Sequence, residues 1–145
     1  MSKLYYIINS YDLVLLFLPT IFIFFVTFIT SVVFTKWIAF SIFLAFVKST
    51  IFLIYFSIFF DGTYTFWDDW AYIEGGKKLY FKDIGITNLI DSFQYLLLIG
   101  KGNHFIYYLY NTYSFRIFGE GYYAPVALNI ILTSFIAYIG ARLAF

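Results

Sequence analysis

Cysteine is absent from this 145-residue chain, which rules out thiol catalysis, disulfide bridges and cysteine-held metal. Charge is scarce as well. Only 12% of residues are charged, against about 25% in an ordinary soluble domain. With 63% hydrophobic and 27% aromatic residues, there is too little polar surface to cover a water-soluble globule, so the chain belongs in a bilayer. The net charge of +1 offers no basic stripe, which argues against a nucleic-acid partner. Repeats and low-complexity tracts are missing. Gly75-Gly76-Lys77-Lys78 is not a phosphate loop, because the first glycine and the Ser/Thr after lysine are lacking. The first apolar run exceeds the ~7–15 residues of a signal-peptide core and no small-x-small cleavage site follows it, so it reads as a retained span.

What is present is mostly long apolar runs. Residues 1–12, with Lys3, Tyr5, Tyr6, Asn9 and Asp12, form a polar-aromatic lead. Leu13 to Thr35 is uncharged and long enough to cross ~30 Å of hydrocarbon. After a brief break at Thr35-Lys36-Trp37, a second run from Ile38 to Phe60 returns, completing a tight helical hairpin. Lys48 lies near the middle of that second run. A charge there costs a few kcal/mol unless paired or hydrated. It either holds an anionic lipid phosphate or a carboxylate inside the bundle, or snorkels to the surface.

Residues 61–101 form one long polar loop. Ile86, Leu89, Ile90, Phe93, Leu96 and Leu97 recur at helical spacing, predicting an amphipathic helix in the membrane surface, capped by Thr87 or Asn88 and ended by Gly100. A third span is expected near 103–119, with His104, Tyr107 or Tyr108, Asn111 and Ser114 on a stripe facing protein or water. A fourth is expected near 122–142. The fold class is therefore all-α: a single polytopic membrane domain with about four spans and short surface helices in one loop.

Acid first enters in quantity at Phe66-Trp67-Asp68-Asp69-Trp70-Ala71-Tyr72. Indole rings favour the boundary between acyl chains and water, so the two carboxylates are expected at the membrane surface, where their proton affinity can be tuned. Alternatively they begin a surface helix, whose exposed N–H groups welcome negative charge. That helix is expected to stop at Gly75-Gly76.

This order of features resembles a family. A span is followed by Asp68-Asp69-Trp70-Ala71-Tyr72, a loop with a surface helix, and a His-led aromatic segment, Asn103-His104 to Arg116-Ile117-Phe118-Gly119. It looks like the N-terminal part of the GT-C membrane glycosyltransferases, the group of protein O-mannosyltransferases and lipid A aminoarabinose transferases, over about residues 55–145. The resemblance implies an inverting transfer of sugar from a polyprenyl-phosphate carrier to an acceptor, on the outer face of a bacterial inner (cytoplasmic) membrane. It also implies an incomplete domain. Asp68 or Asp69 would be the general base on the acceptor hydroxyl, with Lys48, Tyr72 and His104 expected to bind substrate. No cofactor or metal site is assigned. An adjacent acid pair could ligate a divalent ion beside a phosphate, but helix neighbours point ~100° apart, which favours the base role. Counting cations, Lys3, Lys77, Lys78, Lys82, Lys101 and Arg142 on the loop side against Lys36 and Arg116 would put the loop in the cytoplasm, opposite to what the resemblance implies. The alternative function is a small non-catalytic membrane protein or assembly subunit.

Overall fold

The computed structural model describes residues 12–60, 67–82, 89–98 and 104–144, apart from the side chains of residues 67–70, 89, 92 and 96. Nearly all the described residues are helical and none lies in a strand: α1 (Leu13–Thr35), α2 (Ile38–Ile54, continued by a π-helical turn at Tyr55–Phe59), α3 (Trp67–Phe81), α4 (Leu89–Leu98), α5 (Phe105–Phe118) and α6 (Tyr123–Ala144). Three of these helices, α1, α2 with its π-helical turn, and α6, are long and apolar enough to cross a membrane. The expected all-α membrane class is what the chain adopts. It divides into two compact units: Met1–Thr63 with Val126–Phe145, and Tyr64–Pro125.

The first unit is built on the α1–α2 hairpin. Asp12 caps α1, its carboxylate accepting from the Val14 N–H at 3.2 Å. The helix ends at Lys36, which takes a left-handed φ of 57° and donates its N–H to the Val32 carbonyl. Two residues then suffice to reverse the chain. The faces that meet are made of small residues: Thr27 and Ser31 on α1 are buried, as are Ser41, Ala45 and Ser49 on α2. Spaced four apart, such residues let two backbones approach closely inside a bilayer. The hydroxyls of Ser41 and Ser49 do not disrupt the helix, because each finds a nearby acceptor. Ser41 Oγ reaches Ser31 Oγ at 3.0 Å, and Ser49 donates to the Ala45 carbonyl one turn back at 2.8 Å. Large side chains point the other way. Phe17, Phe25, Phe43, Phe46, Ile58 and Ile136 are all exposed, the inside-out pattern that acyl chains, not water, accommodate.

At the far end of α2 the Phe60 N–H bonds to the Tyr55 carbonyl at 2.8 Å, closing the wide π turn. The same turn gathers the rings of Phe52, Tyr55, Phe56 and Phe60 at centroid spacings of 5.0–6.2 Å.

The run of α6 alters one expectation. Ser134 of α6 meets Lys48, while Tyr138 and Ala141 line the same groove as Thr35 and Phe40. So α6 is antiparallel to α2, and Arg142 lies at the hairpin end with Lys36. The sequence reading had placed Arg142 on the loop side. The physical reason is length: the stretch expected to form the third of four spans is helical over 14 residues, or about 21 Å, short of the ~30 Å hydrocarbon core.

Candidate functional site

The second unit places most of the sequence-derived site residues on one helix pair. Its contacts advance in step along α3 and α5. Tyr72 meets His104, Tyr107 and Tyr108, Gly76 meets Thr112, and Tyr80 meets Phe115. The two helices therefore run parallel, with both N-termini at one end.

The glycine pair makes this approach. Helix α3 does not stop at Gly75-Gly76, as sequence predicted, but continues to Phe81. Glycine in a helix interior costs roughly 0.5–1 kcal/mol relative to alanine, so something must offset the pair. A Cβ on Gly75 would fall on the Tyr108 ring, and one on Gly76 would stand 2.5 Å from Asn111 Cβ and 3.3 Å from the Thr112 nitrogen. Without side chains there, α3 lies directly against α5, and Tyr108 and Leu79 are completely covered. Thr112 Oγ1 lies 3.1 Å from the Gly76 carbonyl and 2.7 Å from the Tyr108 carbonyl, so its single proton serves one or is shared.

At the N-terminal end of the pair, Tyr72 Oη and His104 Nδ1 share a hydrogen bond of 3.2 Å. The Tyr72 ring stacks on Tyr107 at 5.0 Å and meets the His104 ring edge-on at 5.1 Å. Tyr72 and His104 are both half-buried. Of the stripe predicted on α5, Tyr108, Asn111 and Ser114 are buried against protein, whereas Tyr107 is the exposed alternative.

Asp68 and Asp69 are the second and third residues of α3, inside its first turn. Asp68 stands one helical turn before Tyr72 in the chain of α3. The two adjacent helix N-termini bring partial positive charge to this end.

Lys48 is the remaining sequence-derived residue. Lys48 belongs to the first unit, where its amine donates to Ser134 Oγ at 2.8 Å. Within the second unit, Lys77 pairs with Glu120 at 3.3 Å with both partly exposed, and Lys82 lies 4.1 Å over the Tyr95 ring, tying α4 to α3. The Phe118-Gly119 dipeptide also gains a physical role. Gly119 has φ of 92°, and a Cβ there would stand 2.8 Å from the Tyr123 hydroxyl, which donates to the Phe118 carbonyl at 3.0 Å. Sequence reasoning missed Gly75, Gly76 and Thr112 as organisers of the site. The signal available was the spacing Tyr72, Gly75, Gly76, Leu79, which is the i, i+3, i+4, i+7 of a buried helix face.

Helix α4 carries Ile90, Phe93 and Leu97 exposed along one side, the apolar face predicted for a surface-lying helix. Its expected cap residues lie outside the described residues, as does Gly100.

No family model matches this chain, and no curated protein or solved structure is significantly similar to it.

Proposed function

We propose that the chain is the N-terminal part of a GT-C-like membrane glycosyltransferase, moving a sugar from a polyprenyl-phosphate carrier to an acceptor hydroxyl at the surface of a bacterial inner membrane. The observation that supports this reading is the Tyr72–His104 hydrogen bond at the end of the α3–α5 pair where α3 begins with Asp68 in its first turn. Asp68 precedes Tyr72 by one helical turn, and His104 is hydrogen-bonded to Tyr72. Asp68 acts as the general base, removing the proton from the acceptor hydroxyl as its oxygen attacks the anomeric carbon and the lipid phosphate departs. Tyr72 and His104 position the substrate beside it through a shared donor and acceptor. Because successive helix residues diverge by ~100°, the acid pair is assigned to proton transfer and not to joint metal binding.

A second reading, a non-catalytic membrane subunit, is favoured by one observation. Acids in the first turn of a helix offset its dipole with no chemistry required. Amide substitution separates the two, since Asn caps almost as well as Asp but cannot accept a proton. Asp68→Asn should insert normally and lower sugar transfer, measured in membranes with the complete transferase, by ~10²–10⁴-fold. Asp69→Asn should show a smaller loss, since Asp68 is the leading acid of the pair and stands one full turn before Tyr72. Parental rates in both variants would leave only the cap.

A further inference from the structure

The first unit contains a groove of about 270 Å³ flanked by α1 and α6 and floored by α2. Its walls carry small residues at helical spacing, Thr27 and Ser31 on one side, Ser134, Ala137 and Ala141 on the other, and Lys48 lies on its floor. Two of its polar groups are incompletely served. Thr27 is 4% exposed, yet its hydroxyl has no hydrogen-bond partner among the described residues, although a threonine in a helix ordinarily bonds the carbonyl one turn back. Lys48 has one acceptor, the Ser134 hydroxyl, and no carboxylate within ion-pair distance among the described residues. An ammonium has three donors.

We infer that this groove receives a further transmembrane helix, from outside these 145 residues, that carries an Asp or Glu near its middle. Charge sets the sign of the occupant. Depth sets its class. Lys48 is the eleventh residue of α2, about 15 Å along the axis from the hairpin end and near mid-bilayer. A lipid headgroup resides at the interface and would have to be drawn deep into hydrocarbon to reach the amine, whereas a carboxylate halfway along a span stands there already. The small walls supply what a helix needs for close approach. A second copy of the chain does not satisfy the requirement, because α1, α2 and α6 contain no Asp or Glu. The inference stands independently of the sugar-transfer reading.

The test uses the full chain in phosphatidylcholine vesicles containing a minor share of phosphatidylglycerol, with a synthetic 23-residue Leu/Ala transmembrane peptide bearing one central Glu, and the same peptide with Gln, association being read by energy transfer between fluorophores. The Glu peptide should associate ~10-fold more tightly than the Gln peptide, the scale of one intramembrane polar contact of about 1.4 kcal/mol. Lys48→Met should erase that preference and Lys48→Arg retain it, with unchanged helical circular dichroism in both. Ala137→Leu, which fills the wall, should weaken both peptides. Equal association of the Glu and Gln peptides with the parent chain would overturn the inference. So would a Glu preference that survives Lys48→Met, or a Lys48-dependent enrichment of phosphatidylglycerol around the chain with no peptide preference.

Discussion

Both units bring two helices into close contact through small residues, but they choose different ones. The α1–α2 hairpin uses serine, threonine and alanine, while the α3–α5 pair uses two glycines beneath a tyrosine ring. The difference follows from the surroundings. In a long apolar span, hydroxyls bonded to neighbouring hydroxyls and carbonyls add interhelical adhesion that apolar side chains cannot. In α3 the gain comes from covering Tyr108 and Leu79, which requires an approach closer than any Cβ allows. One unit is organised by polar adhesion within lipid, the other by aromatic burial around a polar end.

The largest effect expected is all-or-none and concerns sidedness. Because α6 runs antiparallel to α2, single cysteines at Trp37 and Leu143 should react alike with a membrane-impermeant thiol reagent on intact cells, and Thr63→Cys oppositely. Opposite behaviour of Trp37→Cys and Leu143→Cys would restore a four-span chain. Labelling of Thr63→Cys only after lysis would place the acidic loop inside, against the transfer reading. Next come the packing contacts. Gly75→Ala and Gly76→Ala should each destabilise the second unit by about 1–3 kcal/mol through overpacking, despite alanine's better helix propensity. Ser41→Leu should do the same to the hairpin, whereas Ser41→Ala, which fits the space, should cost only the hydroxyl contact. Thermal unfolding in detergent followed by circular dichroism reads all four. A harmless Gly75→Ala would mean that α3 and α5 are not held by this contact. Tyr72→Phe keeps the stacked ring and loses the bond to His104, so a loss of about 0.5–1.5 kcal/mol is expected, measured the same way. Smallest is Lys77→Met. Its ion pair with Glu120 is partly exposed and should change stability by at most ~1 kcal/mol, an effect that rising salt would remove.

The long helices were legible because they depend on local composition. The runs read at 13–35, 38–60 and 122–142 correspond to helices at Leu13–Thr35, Ile38–Phe59 and Tyr123–Ala144, and the amphipathic spacing beyond residue 86 corresponds to α4. What was not legible depends on partners distant in sequence. Gly75-Gly76 has the local form of a helix stop, and only α5 lying across it makes it a contact. The direction of α6 depends on whether α5 crosses the bilayer, which composition near the borderline does not decide. Tyr72 and His104 were each singled out, yet nothing in a one-dimensional pattern pairs positions 32 residues apart. For the same reason the partner of Lys48 was invisible from sequence.

That last bond bears on how the protein is made. Lys48 and Ser134 are 86 residues apart, so α2 leaves the ribosome long before its polar partner is synthesised. At ~5–20 residues per second the interval is roughly 4–17 s. Throughout it, the lysine must be hydrated or drawn toward a headgroup, since an unpartnered charge at the centre of a span costs about 2.5–3.5 kcal/mol on translocon scales. The hairpin can close at once through Ser31 and Ser41, which are only ten residues apart. Biosynthesis thus has a built-in order, in which the hairpin enters first with its lysine provisional and the arrival of α6 fixes the depth at which α2 finally rests.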